Sequence, residues 1–189
     1  MPRVIEYLST TFVFTISLAF TFYGLLTPDW LIFTPPKPFR METHYGLFEK
    51  CSQLTGECRR FPLQSAGDCE EENFCEKWQL AGYSLVTAAI IASFTWISLI
   101  GIMCGGRRSM EKGWRSAVGL FLLNALFGAL SMSLIANLYN SSNTFYFGTR
   151  YGMSFILATI GWCLSLFCSV GLALSVLFGP PGYDYEPIR

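Results

Sequence analysis

The chain has 189 residues, of which 52% are hydrophobic and only 14% are charged. Soluble domains carry about 25% charged residues, so this composition argues against an ordinary soluble domain. The formal net charge of zero gives no indication of a nucleic-acid partner. The apolar residues are concentrated in four charge-free runs, at residues 8–26, 80–104, 117–138 and 154–178.

Each of these runs has about the 20 residues that a helix needs to cross the hydrocarbon core of a bilayer. Backbone polar groups must be satisfied within the segment in lipid, so we interpret the runs as transmembrane helices. The first run has the alternative of a cleaved signal peptide. Residues 21–24 offer no small-x-small cleavage site, and we therefore predict a retained signal-anchor helix.

The orientation follows from the basic residues near the helix ends. Residues 105–116 form a short predicted loop with four basic residues and one acidic residue, whereas the short loop 139–150 has only Arg150. The loop 27–79 has six basic and nine acidic residues but is long. We predict that both termini, the tail 179–189 and the loop 105–116 are cytosolic, and that the other two loops lie outside.

The cysteines are distributed in agreement with this topology. Four lie in the first outside loop, where an oxidising compartment permits disulfides, and four cysteines allow three pairings. We favour nearest-neighbour pairing, Cys51 with Cys58 and Cys69 with Cys75. The other three lie in or beside the helices and are expected to be free: Cys104, Cys163 and Cys168.

The first outside loop has the patterns of an ordered domain. Residues 30–34 are rich in β-formers, residues 39–45 alternate apolar with polar side chains, and two further strands are predicted at 45–51 and 58–63. We predict a fifth strand at residues 144–147 in the second outside loop. Asp68 is expected to cap a helix whose first turn holds Glu70, Glu71 and Glu72, and which continues through Trp78 into the second span.

Small residues recur at four-residue spacing on two predicted spans, which permits close helix approach. They are Ser84, Ala88 and Ala92 on the second, and Gly161, Ser165, Ser169 and Ala173 on the fourth. Packing within one bundle is favoured over self-association between chains. No Asp, Glu, Lys, Arg or His lies within a span, whereas proton and ion pathways normally contain such residues. Asn124 is expected to be an interhelical hydrogen-bond partner.

The sequence contains no catalytic constellation. His44 is the only histidine, so a multi-histidine metal site is excluded, and any Ser-His-Asp triad would have to use this residue. We predict that His44 is a surface residue, that the chain is not an enzyme, and that it needs no cofactor or metal. The acidic cluster of Glu70, Glu71, Glu72 and Glu76 is expected to be a solvated helix face, with weak cation attraction as the alternative.

The order of features resembles a known superfamily. Trp30 begins the first outside loop, Gly46, Leu47 and Phe48 follow, and Cys51 and Cys58 come next. This arrangement is similar to the W…GLW…C…C signature of the claudin, peripheral myelin protein 22 and epithelial membrane protein superfamily. The start of the fourth predicted helix, residues 151–162, is similar to the myelin and epithelial membrane branch.

The resemblance implies a four-helix bundle topped by an antiparallel sheet, with four strands from the first outside loop and one from the second. It also implies that Trp30 and the turn of Gly46, Leu47 and Phe48 lie where the sheet meets the outer leaflet. Phe48 replaces the second Trp of the signature, and the terminal Arg189 is unsuited to the PDZ binding of classical claudins. These departures suggest a divergent member, similar to the fungal SUR7/PalI group of claudin-related proteins.

Three modification or sorting signals are candidates. Asn140 begins a glycosylation sequon on the outside, only two residues past the predicted span. Cys104 is a candidate for palmitoylation, with a packed free cysteine as the alternative. Tyr185 and Ile188 fit a Y-x-x-Φ sorting signal in the cytosolic tail.

The sequence thus predicts an all-α membrane protein with a four-helix bundle and a small extracellular sheet. We hypothesise a non-catalytic plasma-membrane protein that organises membrane or cell-contact regions through its disulfide-linked loop. The alternative is an auxiliary subunit that regulates an ion channel or transporter. The expected partners are the lipid bilayer, a second copy of the chain, or a channel or adhesion protein.

Overall fold

The computed structural model describes residues 4–35, 42–142, 145 and 148–178. Its four long helices are apolar enough to cross a membrane, as the composition predicts. Together with a small five-stranded antiparallel sheet they confirm the predicted fold class. The helices are α1 (Val4–Leu26), α2 (Phe74–Cys104), α3 (Gly106–Ser141) and α4 (Met153–Phe178).

The connection between α2 and α3 differs from the predicted loop at residues 105–116. Only Gly105 separates the two helices, and residues 106–116 are the first three turns of α3. Gly106 has a φ of +73°, which favours glycine at the reversal. A Cβ on Gly105 would lie 2.7 Å from the Cβ of Ser109, so the turn has no room for a side chain there. Charged residues end a hydrophobic run, but they do not end a helix.

The bundle is a closed ring in which α1 and α3 each contact both α2 and α4. The small-residue stripes lie inside this ring, because Ser84, Ala88 and Ala92 are buried, as are Gly161, Ser165 and Ser169. A Cβ on Gly161 would lie 3.2 Å from the carbonyl oxygen of Ser17, so α1 and α4 are in close contact. Packing within one bundle is therefore confirmed for these residues, with Ala173 half-buried.

Asn124 is buried and links three helices, as predicted for an interhelical partner. Its side-chain Nδ2 donates to the Ser165 Oγ at 2.6 Å. The same Ser165 hydroxyl lies 2.9 Å from the Ser17 Oγ. These bonds satisfy polar groups that lipid could not satisfy, and they fix α1, α3 and α4 relative to one another.

The sheet lies at the end of the bundle where α1 ends and α2 begins. Its order is β4-β3-β2-β1-β5, and every neighbouring pair is antiparallel. Four strands come from the segment between α1 and α2, and the fifth comes from the segment between α3 and α4. They are β1 (Leu31–Phe33), β2 (Thr43–Tyr45), β3 (Glu49–Ser52), β4 (Cys58–Arg60) and β5 (Thr149–Tyr151).

The strand boundaries depart from the predicted ones in three places. Residues 45–51 do not form one strand, because a turn at residues 46–48 separates β2 from β3. The last predicted strand of the first loop ends at Arg60, since Pro62 follows and cannot donate a ladder hydrogen bond. The fifth strand is found at Thr149–Tyr151. The predicted position 144–147 lies outside the described residues except for Phe145.

The helix predicted to begin after Asp68 is also shorter than expected. A short 3-10 helix covers Gln64–Ala66, and α2 begins only at Phe74. The preceding residue, Asn73, has a left-handed backbone with φ of +61°. The Asp68 carboxylate is bonded to Arg59, as described below, and Glu70, Glu71 and Glu72 precede α2 and lie outside any helix. As predicted, α2 does run continuously through Trp78 into the apolar span.

Candidate functional site

The sheet is fixed to the bundle first by Trp30, which has no exposed surface. Its indole Nε1 donates to the Gly24 carbonyl oxygen at 2.6 Å, in the last turn of α1. Its ring meets Phe155 of α4 edge-on, with 6.0 Å between the centroids. Trp30 therefore joins β1 to two helices and lies in the junction between sheet and bundle.

A second anchor is Trp78, which is also completely buried. Its Nε1 donates to the Leu47 carbonyl oxygen at 3.1 Å, so the turn between β2 and β3 is bonded to α2. Phe61 meets the Trp78 ring edge-on at 5.1 Å, and Phe74 stacks on it at 5.8 Å. Such aromatic pairs add stabilisation beyond the area they bury. The sheet and the start of α2 thus form one packed unit.

Two disulfides close the loops between these anchors. Cys51 is bonded to Cys58 across the β3–β4 hairpin, and Cys69 is bonded to Cys75 beside the start of α2. This is the nearest-neighbour pairing. Each bridge restricts the unfolded chain and so favours the folded sheet. Cys104, Cys163 and Cys168 are free thiols.

An ion pair fixes the segment that follows β4. The Arg59 guanidinium donates two hydrogen bonds to the Asp68 carboxylate, at 2.6 and 2.7 Å. The backbone N–H of Leu63 donates a third, at 3.1 Å. Burial alone would raise the pKa of the Asp68 carboxyl. The hydrogen bonds from Arg59 and Leu63, together with the charges of Arg59 and Lys50, outweigh it and lower that pKa.

This lowered pKa predicts an acid-dependent loss of stability. The contribution of Asp68 is fully present above its ordinary pKa of about 4 and is lost as the pH falls through the lowered value. We expect Asp68→Asn to lower the free energy of unfolding by on the order of 1–2 kcal/mol at pH 7. The loss is not larger because Arg59 is partly exposed, and solvent weakens the ion pair. The difference in thermal midpoint between the two proteins, followed by size-exclusion chromatography, should shrink below pH 4. A difference that is unchanged at pH 3 would contradict the assignment.

His44, which was predicted to be a surface residue, is partly exposed and is paired with a carboxylate. Its Nδ1 lies 2.6 Å from the Asp29 carboxylate, and both side chains are partly buried. Asp29 precedes β1, and its carbonyl oxygen accepts from the Ser154 N–H at 3.1 Å. The pair therefore connects β2 to the junction of β1 with α4, which is a structural use of the single histidine.

The inner face of the sheet ends in a polar cleft of about 520 Å³. Tyr45 is buried on this face, and the Lys50 Nζ lies 4.5 Å above its ring. Beyond Lys50 the side chains are polar and reach the β3–β4 turn. The cleft is lined by Thr43, Lys50, Ser52, Thr55, Glu57, Cys58 and Arg59.

The residues that resemble the claudin-superfamily signature differ in exposure. Trp30 and Leu47 are buried, whereas Phe48 is 42% exposed. A Cβ on Gly46 would lie 2.7 Å from the Pro28 Cα, so this turn requires glycine. A Cβ on Gly82 of α2 would lie 3.1 Å from the Phe48 ring. Phe48 therefore lies on the outside of the bundle, against α2.

The candidate modification residues are placed as follows. Cys104 is exposed at the last residue of α2. Asn140 is exposed but belongs to the last turn of α3, and the Ser142 hydroxyl of its sequon donates to Glu71. The sequon is therefore not an extended loop beyond the helix, because α3 continues to Ser141. Tyr185 and Ile188 lie outside the described residues.

One group of potential metal ligands is found among the described residues. A carboxylate oxygen of Glu49 and the sulfur atoms of Cys51 and Cys58 lie within 4.8 Å of one another. The two sulfurs are bonded to each other, so neither offers the thiolate that a metal ligand requires. Of the acidic cluster, Glu76 is in the first turn of α2 and Glu71 contacts Ser142.

The sequence did not indicate the ion pair of Arg59 with Asp68 or the bond from Trp78 to Leu47. Both join residues that are distant along the chain, and no local pattern contains them. A comparison with models of known protein families found no match, and a comparison with curated proteins found none either.

Proposed function

We propose that the chain is a non-catalytic plasma-membrane protein that organises membrane or cell-contact regions through the sheet. The observation that carries this proposal is the rigid attachment of a solvent-open sheet to a membrane bundle. Two buried tryptophans hold the sheet in one orientation on the bundle, and two disulfides close the loops between them. A fixed orientation reduces the entropy that is lost when a partner binds.

The polar cleft is the proposed contact surface. It combines two cations, one carboxylate and three hydroxyls at the end of the sheet. The strand β4 lies beside the cleft at one edge of the sheet. Its outer backbone edge pairs with no other described strand. Partners can use such an edge for main-chain hydrogen bonds and the cleft for side-chain selectivity. Disulfides form and persist in oxidising compartments, so we place the sheet outside the cell. The basic residues at 105–116 support a cytosolic position for that end of the bundle, and with it for both termini.

The test is co-purification from native membranes in mild detergent, with the bound proteins identified by mass spectrometry. The variant T55R/E57K changes the charge at the rim of the cleft, where both residues are exposed. Arg150→Glu is the matched control, since Arg150 is exposed on β5 at the opposite edge. We expect the cleft variant to lose the partner and the control to keep it.

The outcomes separate the classes of function. The organising role is supported if further copies of the chain, or adhesion proteins, co-purify with the unchanged protein and are lost from the cleft variant. A stoichiometric channel or transporter would instead show an auxiliary subunit. Partner binding that both variants retain equally would overturn the role of the cleft. Ion conduction by the purified protein alone would overturn both the organising role and the auxiliary-subunit role.

A further inference from the structure

Two adjoining grooves lie between the edge of the sheet and α2. The first, here named the cationic groove, has a volume of about 360 Å³. Its walls are Leu47, Phe48, Phe61 and Tyr83, and Arg60 is the one charged residue that lines it. The second, the acidic groove, has a volume of about 300 Å³ and includes Glu76. Pro62 and Gln79 line both grooves, so the two form a continuous surface.

The grooves lie at the level where α2 enters the membrane. Lys77 is the last charged residue of α2, and the helix is charge-free from there to Cys104. Counting about 20 residues back from Cys104, at about 1.5 Å per residue, places the edge of the hydrocarbon near residue 84. Gln79 and Tyr83 then lie in the headgroup layer.

The side chains that border the cationic groove suit this layer. Phe48 is 42% exposed and Tyr83 is 63% exposed, next to Leu80 at 50%. Exposed aromatic residues are typical of the membrane–water interface, where one end of the ring is apolar and the other is wet. An acyl chain can follow the exposed face of α2 from Tyr83 through Ile90 and Phe94.

The charges of the two grooves are complementary to one kind of headgroup. Arg60 is exposed at the end of β4 and makes no ion pair with a described side chain. Glu49 is its cross-strand neighbour, but no ion pair joins the two. A guanidinium recognises phosphate oxygens by paired N–H donors. Glu76 precedes Gln79 by one turn, on the side away from the apolar span, where it can attract a cationic amine.

We propose that the two grooves bind the headgroup of a zwitterionic phospholipid, with its phosphate on Arg60 and its amine toward Glu76. The acyl chains lie on the exposed face of α2 below Tyr83. This inference is independent of the proposed function, because it involves the surface beside α2 and not the polar cleft.

The test uses nanodiscs that contain equal amounts of phosphatidylcholine and phosphatidylglycerol, with acyl chains of different mass. Native mass spectrometry of the released protein measures the lipid that it retains. We expect phosphatidylcholine to be retained over phosphatidylglycerol. Arg60→Gln should lower its retention about five-fold to ten-fold, the effect of one charge-assisted contact. Glu76→Gln should remove the preference over phosphatidylglycerol.

The controls are Arg150→Gln and Glu111→Gln, which make the same charge changes at exposed positions away from the grooves and from the polar cleft. Each variant must elute like the unchanged protein on size-exclusion chromatography, and both controls should retain lipid normally. Equal retention by Arg60→Gln and Arg150→Gln would overturn the site. A preference for phosphatidylglycerol would overturn the role of Glu76. Displacement of the lipid by inorganic phosphate would identify a soluble anion as the ligand and overturn the proposal.

Discussion

Trp30→Ala is expected to reduce the stability of the protein by about 3–5 kcal/mol, the cost of removing a fully buried aromatic side chain. The substitution leaves a cavity between β1, α1 and α4, and it leaves the Gly24 carbonyl oxygen without its 2.6 Å donor. Folded domains are stable by only about 5–15 kcal/mol, so this loss is a large fraction of the free energy of unfolding. The measurement is the thermal midpoint in detergent by size-exclusion chromatography.

Two comparisons make this prediction specific. Trp30→Phe keeps a ring but no N–H, and its cost should be about 1–3 kcal/mol for the carbonyl left unpaired. Trp114→Ala is the matched control, because Trp114 is half-buried near the start of α3. A midpoint for Trp30→Ala that equals that of Trp114→Ala would show that Trp30 is no anchor.

Gly152→Ala is expected to have the second large effect. A Cβ at this position would lie 2.0 Å from the Asp29 carbonyl oxygen. The Gly152 N–H also donates to the Trp30 carbonyl oxygen at 2.9 Å. The new Cβ would clash with the backbone of Asp29, and the hydrogen bond to Trp30 holds Gly152 in place. Neither backbone segment can therefore move away freely. We expect a loss of about 3 kcal/mol or more, at the upper end for overpacking.

Gly171→Ala is the control for this substitution, since it is the same change on α4 with no atom near the new Cβ. It should be neutral or should stabilise the helix by about 0.5–1 kcal/mol, because alanine favours helices over glycine. The readout is again the thermal midpoint. Equal midpoints for the two variants would contradict the close approach of Gly152 to the Asp29 carbonyl oxygen.

The four helices could be predicted from the sequence because lipid imposes one strong local requirement, a run of about 20 apolar residues. Their ends could not be predicted in the same way. The first three turns of α3 are polar and continue the helix beyond its apolar run. Hydrophobicity reports where lipid begins, whereas backbone bonding reports where a helix begins, and the two differ at residues 106–116.

The small sheet shows the same division between local and distant causes. The alternation that predicted a strand at residues 39–45 is local, and β2 covers its last three residues, Thr43–Tyr45. Asp68 was expected to cap a helix because its side chain favours that position locally. Arg59 competes for the same carboxylate with two short hydrogen bonds, and a contact across nine residues outweighed the local preference.

The single residue between α2 and α3 has a consequence for how the protein enters the membrane. Only Gly105 separates the two helices in the fold, and only residues 105–116 separate their apolar runs, so the two spans are closely coupled along the chain. They are therefore expected to leave the translocon together, as one helical hairpin. A flexible insertion after Gly105 would lengthen this connection, so its effect on membrane insertion should be compared with its effect on the thermal midpoint of the finished fold.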